Sequence, residues 1–430
     1  MDATTYQDYV NILHEELVPA MGCTEPIAIA YAAAVARQTL GRPAQRMEVE
    51  ASGNIIKNVK SVFVPNTGGL RGIPAAAAAG MVAGDPALEL EVLSSIGEGE
   101  QAAIRQYLAD TPIAVKLADS PFIFDIAIRA WAGEDSALVR IVNYHTNIVR
   151  VERNGQVLKE VEAQAAAEEG LTDKSVLTVE GILEFAREAA LADVEDAVGR
   201  QVRYNTAIAQ EGLRGDYGAN IGKVLLATYG EDVKIRAKAM AAAGSDARMN
   251  GCGLPVVIVS GSGNQGLTAS LPVVEYAKEL GADWETTLRA VLVSDLITIH
   301  LKAEIGRLSA YCGAVSAGCG SGAGIAWLYG REKEPQALLK DVSHTIVNAL
   351  AVDSGIVCDG AKASCAAKIA SAVDAGLLGF YMYQNGQQFR GGDGIISKGV
   401  EETIRNIGLL ATQGMRETDR EILDIMTTRC

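Results

Sequence analysis

The sequence predicts an α+β protein: a large, mainly helical domain built from both chain ends, with a smaller α+β domain inserted between them. Three observations lead there. Both ends of the 430-residue chain are rich in Ala and Gly and read as helices, whereas the stretch between about 45 and 172 alternates apolar and polar residues as strands do. The length suits about two domains. Hydrophobic residues make up 49% of the chain but aromatic ones only 5%, and 45 residues are Gly. Such an interior is built from small side chains, which let helices approach closely. The expected domains are 1–44 with 173–430, and 45–172.

Taken in order, "TTYQDYVNILHEELVPAM" reads as a helix, "GCTEP" as a break and "IAIAYAAAVARQTL" as a second helix. "RMEVEASGNIIKNVKSVFVPNT" follows with strand-like alternation, then helical "PAAAAAGMVAG" and "EGEQAAIRQYLAD". Alternation returns in "FIFDIAIRAW" and "ALVRIVNYHTNIVRVERNGQVLK", the latter with a hairpin-type turn at Asn154-Gly155. Beyond "GLTDKSVLTVE" the pattern is helical almost to the end, with Thr178 as N-cap of "VEGILEFAREAALADVEDAV". "LPVVIVS" fits a short strand or a buried extended segment. No internal repeat or low-complexity linker is found.

Charge narrows the function. Asp and Glu total 53 against 38 Lys and Arg, a formal net charge of −15, which disfavours nucleic acid and anionic membranes as partners. No basic segment followed by a hydrophobic run succeeds Met1. Apolar runs such as "IAIAYAAAVA" fall short of the roughly 20 residues that span a bilayer. A soluble, cytoplasmic protein acting on a small molecule is expected; assembly as a homodimer stays open. The seven cysteines, Cys23, Cys252, Cys312, Cys319, Cys358, Cys365 and Cys430, are odd in number and irregular in spacing. In a reducing compartment that favours metal binding, catalysis or packing over disulfides. H-E-x-x-H, G-x-S-x-G and P-loop motifs are absent. The histidines (His14, His145, His300 and His344) are scattered.

Three motifs could carry chemistry. In "CDGAKASC", Asp359 can cap a helix "GAKASCAAKIASAVDAGLL", with Cys358 in the preceding turn and Cys365 inside the helix. On one continuous helix the two sulfurs would stand about 10 Å apart along the axis, too far for one compact site. With Cys358 outside the helix the chain can fold back and unite them. Soft thiolates select zinc, copper(I) or iron–sulfur clusters; the competing reading is small buried core residues. In "GCTEP", Pro26 favours the first helical turn and leaves Cys23 just ahead of it. A thiol there has its pKa lowered and becomes a candidate base or nucleophile, against plain capping by Thr24. In "VVIVSGSGNQGLTAS", Gly261, Gly263 and Gly266 spell G-x-G-x-x-G, but no second strand or companion acid follows. Bare N–H groups at a helix start, suited to a small carboxylate, are preferred over a dinucleotide site; simple turn chemistry competes.

"GCTEP", "SGNIIKNVKSVFVPNTGG" (52–69), "GSGNQG" (261–266), "LSAYCG" (308–313) and "CDGAKASC" together resemble the L-cysteine desulfidase family, relatives of the iron–sulfur-dependent L-serine dehydratases. The resemblance spans essentially the whole chain. It implies a 4Fe–4S enzyme, independent of pyridoxal phosphate, that converts L-cysteine to pyruvate, ammonia and sulfide. By resemblance, Cys312, Cys358 and Cys365 are the cluster ligands and Cys23 is the catalytic base. Cys252 and Cys319 are then packing residues. Cys430, in the terminal "TTRC", is either a fourth ligand or a free terminal thiol. On this reading Gly261, Ser262, Gly263, Asn264 and Gln265 hold the substrate carboxylate, and Asn54, Lys57 and Asn66 complete the site. L-serine dehydration on the same scaffold, a non-catalytic iron–sulfur sensor and a dinucleotide-dependent oxidoreductase are the competing functions.

Overall fold

A computed structural model describes residues 1–164 and 171–428. It has the α+β character expected. Eight strands lie among the described residues: β1 (Pro19–Met21), β2 (Arg46–Ala51), β3 (Ile113–Leu117), β4 (Asp125–Ala132), β5 (Asp135–Val142), β6 (Ile148–Arg153), β7 (Gln156–Glu160) and β8 (Pro255–Val257). Six form one sheet in the order β3-β2-β4-β5-β6-β7. Its β4-to-β7 part is an antiparallel meander. Asn154 and Gly155, at φ of 53° and 79°, make the last turn as their sequence predicts. β2 and β3 are parallel, and the helices Gly53–Val59, Gly72–Ala83 and Glu98–Asp110 lie between them in the chain.

Two sequence expectations change here. Strand-like alternation over 46–67 yields a strand only to Ala51, and Gly53–Val59 is a helix. Its buried Ile55 and Val59 stand four apart, a spacing that serves one helical face as well as it serves a strand. Thr178 caps a helix as expected, its Oγ1 accepting the Gly181 N–H at 3.0 Å, but that helix ends at Glu188 and a second runs from Leu191 to Arg214. Between them Ala189 and Ala190 are extended, and the Ala190 N–H donates to Tyr6 Oη.

The Thr24–Leu40 helix packs on β4, β5 and β6 and so joins the N-terminal end of the chain to the sheet. A separate two-stranded pairing, β1 with β8, ties "GCTEP" to the "GSGNQG" loop. The hydroxyl of Thr24 then donates to the Gly261 carbonyl at 2.9 Å.

Small residues set the geometry of the helical body. A Cβ on Gly318 would meet the Ala372 carbonyl at 2.3 Å, and one on Gly322 would meet Gly376 at 2.7 Å. Both contacts advance in the same direction along the helices Gly313–Gly330 and Cys365–Gln384, so the two run alongside one another with their N-termini at the same end. That pairing places Cys312 and Cys365 together. By length and composition Cys365–Gln384 is apolar enough to cross a membrane, although Lys368 and Asp374 interrupt its apolar run. Of its most apolar 18-residue stretch, 56% is buried within the fold. Gly376→Ala, which would set a methyl 2.2 Å from the Gly318 carbonyl, is expected to lower the unfolding free energy by about 1–3 kcal/mol. A lower urea midpoint with an unchanged m value is the signature to measure.

Candidate active site

Four helix N-termini face one cavity of about 110 Å³. Cys23 is the N-cap of Thr24–Leu40, Ser262 that of Gly263–Glu279 and Cys312 that of Gly313–Gly330, while Cys365 opens Cys365–Gln384. All four residues, with Cys358, line the cavity. Cys358 reaches it through a short antiparallel bridge between Tyr311 and Val357. Across that bridge the Cys312 N–H donates to the Ile356 carbonyl at 3.1 Å and the Cys358 N–H to the Ala310 carbonyl at 2.6 Å.

The helix after Cys358 begins later than the sequence suggests. Asp359 caps nothing; its carboxylate takes Lys362 and Lys368. Gly360 lies at φ +90°, where a Cβ would stand 2.3 Å from the Lys57 carbonyl. Passage of the chain hard against Gly53–Val59 keeps 358–364 out of the helix.

Burial, then neighbouring Cys358, pushes the Cys312 thiol up to about 12, and burial likewise raises Cys365. Lys302 is buried beside them; burial brings its ammonium down to about 8, against the opposing pull of Cys358 and Cys312. Three soft donors crowded in a low-dielectric wall become ligands once a cationic centre takes their protons. Among the described residues, no group of three His, Cys, Asp or Glu is arranged to hold a single ion. A lone ion needs its sulfurs about 2.3 Å from one point, whereas an iron–sulfur cluster takes each thiolate on a different iron. Three thiols on one cavity wall are donors of the type an iron–sulfur cluster takes.

Cys23 is buried, and its Sγ donates to Glu25 Oε2 at 2.9 Å. Burial first, and the Glu25 charge second, raise the thiol well above its ordinary value. The helix terminus does not lower it as expected from sequence. Glu25 is held by Asn58, whose Nδ2 donates to Oε1 at 3.0 Å. Burial works to raise its pKa, but His145, the Cys23 hydrogen bond and Arg248 keep it below the usual carboxylate range. His145 is itself brought down to about 4 by burial and so is neutral at pH 7. At that pH the hydrogen bonds and Arg248 are what support the carboxylate. The pair is a thiol with an adjacent proton acceptor.

Of the other residues singled out in the sequence, Gly261, Ser262, Asn264, Gln265 and Asn54 line the cavity. Gly263 stands behind, against the Arg248 side chain. Lys57 and Asn66 are not brought to the cavity. Lys57 is buried and paired with Asp419 of the Arg416–Thr428 helix, and Asn66 occupies a turn at φ 58°, donating to the Leu93 carbonyl at 3.0 Å. Cys252 and Cys319 are buried elsewhere. Cys430 lies outside the described residues. Sequence reasoning passed over Glu25 as a proton acceptor, and also His145, Arg248 and Lys302. A lysine inside the apolar run "LITIHLKAEI" was the one visible signal among them. A wider groove of about 700 Å³, beside β6 and β7, holds none of the cysteines.

Residues 87–424 match the serine dehydratase alpha chain family. The chain belongs to that family. It is 58% identical over 425 residues to a UPF0597 protein of Desulfitobacterium hafniense, covering 99% of this chain and 97% of the relative. UPF0597 proteins of Lachnoclostridium phytofermentans and Treponema denticola are 51% and 45% identical over 421 and 435 residues, with at least 98% of each chain covered. Serine dehydratase alpha chains are lyase-type enzymes, generally iron–sulfur dependent.

The depressed His145 has a consequence for stability. Below the ordinary value near 6.5 the unfolded chain binds the proton, while the native imidazole stays neutral down to about 4. Stability is thus whole above pH 6.5 and falls as pH drops from 6.5 to 4, by up to about 3 kcal/mol from this group. Urea unfolding at pH 7.5 and 4.5 should show the loss, and His145→Asn should shrink the difference.

Proposed function

We propose that this protein is an iron–sulfur-dependent lyase that converts L-cysteine to pyruvate, ammonia and sulfide. The observation that supports it is the meeting, in one cavity, of three ligand-type thiols with the Cys23–Glu25 pair. Cys312, Cys358 and Cys365 would hold the cluster. A cluster held there would supply a Lewis acid for the leaving heteroatom.

The chain's own groups do the rest. Glu25 takes the Cys23 proton as substrate enters, and the thiolate removes the proton from Cα. The electron pair released forms the Cα–Cβ double bond as the Cβ–S bond breaks and sulfide departs. The 2-aminoacrylate so formed tautomerises to an imine, which water converts to pyruvate and ammonia. Enclosure of the site guards the thiolate from bulk water. No external oxidant or reductant is needed.

L-serine is the second reading, favoured by the family's name. Hydroxide is the poorer leaving group, and a soft iron site prefers sulfur. Purified without air, the enzyme should contain iron and acid-labile sulfide and release sulfide and pyruvate together from L-cysteine. Pyruvate from L-serine alone would move the substrate assignment. Full cluster content without turnover of either amino acid would overturn the lyase reading. Cys23→Ala and Glu25→Gln should each lower kcat by about 10²–10⁴-fold with iron content unchanged. Serine at 312, 358 or 365 should instead abolish the visible iron–sulfur absorbance.

A further inference from the structure

Arg248 is 2% exposed, stands at the end of the Val233–Met249 helix and lines the cavity. Its Nε has no hydrogen-bond partner, and the guanidinium forms no ion pair with any described carboxylate. Glu25, in the same cavity, acts on it only from beyond ion-pair distance, and a buried guanidinium whose hydrogen bonds are unmade is unfavourable for folding. Its position is shaped for it nonetheless. A Cβ on Gly263 would sit 2.3 Å from Arg248 Nε and 2.8 Å from Cζ, so only glycine leaves room for the side chain there. Gly263 is the first residue of its helix, and the Ser262 side chain does not cap it. A fork of N–H donors and an uncapped helix start therefore stand together, and no carboxylate of the described chain pairs with the fork, an arrangement that suits a carboxylate.

The same cavity carries the complementary set. Asn58 Oδ1, Asn264 Oδ1 and Gln265 Oε1 are buried acceptors without donors. The Asn58 amide nitrogen is already committed to Glu25, which leaves its oxygen to face a donor. Unpaired amide oxygens suit an ammonium group with three N–H bonds. About 110 Å³ of space excludes nucleotides and peptides.

We infer that Arg248 is the carboxylate anchor of a zwitterionic α-amino acid bound in this cavity, whose ammonium group is received by the unpaired amide oxygens. The inference deepens the lyase reading and rests on it for the identity of the ligand as an amino acid. Arg248 acts in binding and moves no proton.

The test measures binding with L-alanine, which has no β leaving group, and with L-alaninamide, in which the carboxylate is replaced. Calorimetry on the full-length anaerobic protein should show wild type preferring L-alanine by about 100-fold or more. In Arg248→Met that preference should collapse to about threefold or less, and Arg248→Lys, which keeps the charge but not the fork, should fall between. Without ligand, Arg248→Met should melt close to wild type, because loss of the long-range pull on Glu25 is offset by removal of a buried guanidinium that makes no ion pair. In turnover assays Arg248→Lys should raise KM about tenfold or more while kcat changes less. Undiminished L-alanine binding by Arg248→Met would overturn the assignment, and so would a ligand-free melting temperature several degrees below wild type, the mark of a structural arginine. Failure of wild type to bind any α-amino acid would remove the lyase reading itself, an outcome distinct from loss of Arg248 alone.

Discussion

Backbone-to-backbone contact between the helices Gly313–Gly330 and Cys365–Gln384 is the constraint on which the site depends. Because Gly318, Gly322 and Gly376 carry no side chains, the two helices lie close enough to hold their N-termini level. Cys312 and Cys365 stand at those termini, and the Tyr311–Val357 bridge adds Cys358. β1–β8 pairing then delivers the starts of two more helices, those headed by Cys23 and Ser262. An end-on meeting of four helices concentrates partial positive charge where their orphan N–H groups gather. Lys302, Lys368 and Arg248 add whole charges to the same wall. The cavity is thus prepared for anions, which thiolate ligands and an amino acid carboxylate would supply.

Magnitudes decide the state of Cys23. A helix terminus favours a nearby anion by about 0.3–1 kcal/mol, or about 2 kcal/mol in a well-placed, partly buried geometry. Full burial shifts a thiol by as much as 3–5 pKa units, with each unit worth about 1.4 kcal/mol. Desolvation therefore outweighs the dipole, and the resting residue is a thiol hydrogen-bonded to Glu25. A neutral resting thiol beside a carboxylate guards against adventitious oxidation, since the thiolate is the reactive form. The acceptor for its proton is already in hydrogen-bond contact when substrate arrives.

Stability and function pull apart in this cavity. Arg248 Nε, His145 Nε2 and several amide oxygens are buried without partners, an unfavourable concentration in one place. Elsewhere the interior is Ala, Val, Ile and Leu packed around close helix crossings, which offsets such local cost. Polar groups left open in an otherwise apolar interior are the usual mark of a ligand site.

Local periodicity and turn chemistry made the α+β class, the Asn154-Gly155 hairpin turn and the helix start at Val179 legible from the chain alone, because those features depend on neighbours a few residues apart; the helix expected to be capped by Thr24 is instead headed by Cys23. The motif cysteines and the "GSGNQG" loop were legible too, as short unusual strings. Glu25 as a proton acceptor, Arg248 and His145 were not. Each is an ordinary residue within its own segment: Glu25 meets Cys23 only two positions away, but its role, like those of Arg248 and His145, comes from enclosure in a cavity assembled from distant segments. Lys57 and Asn66 show the converse: they sit in a distinctive string, yet long-range packing commits one to Asp419 and the other to a turn. Only the tertiary structure decided the direction of the Cys23 pKa, because burial is a property of the whole fold and outweighs any signal its neighbours in sequence carry.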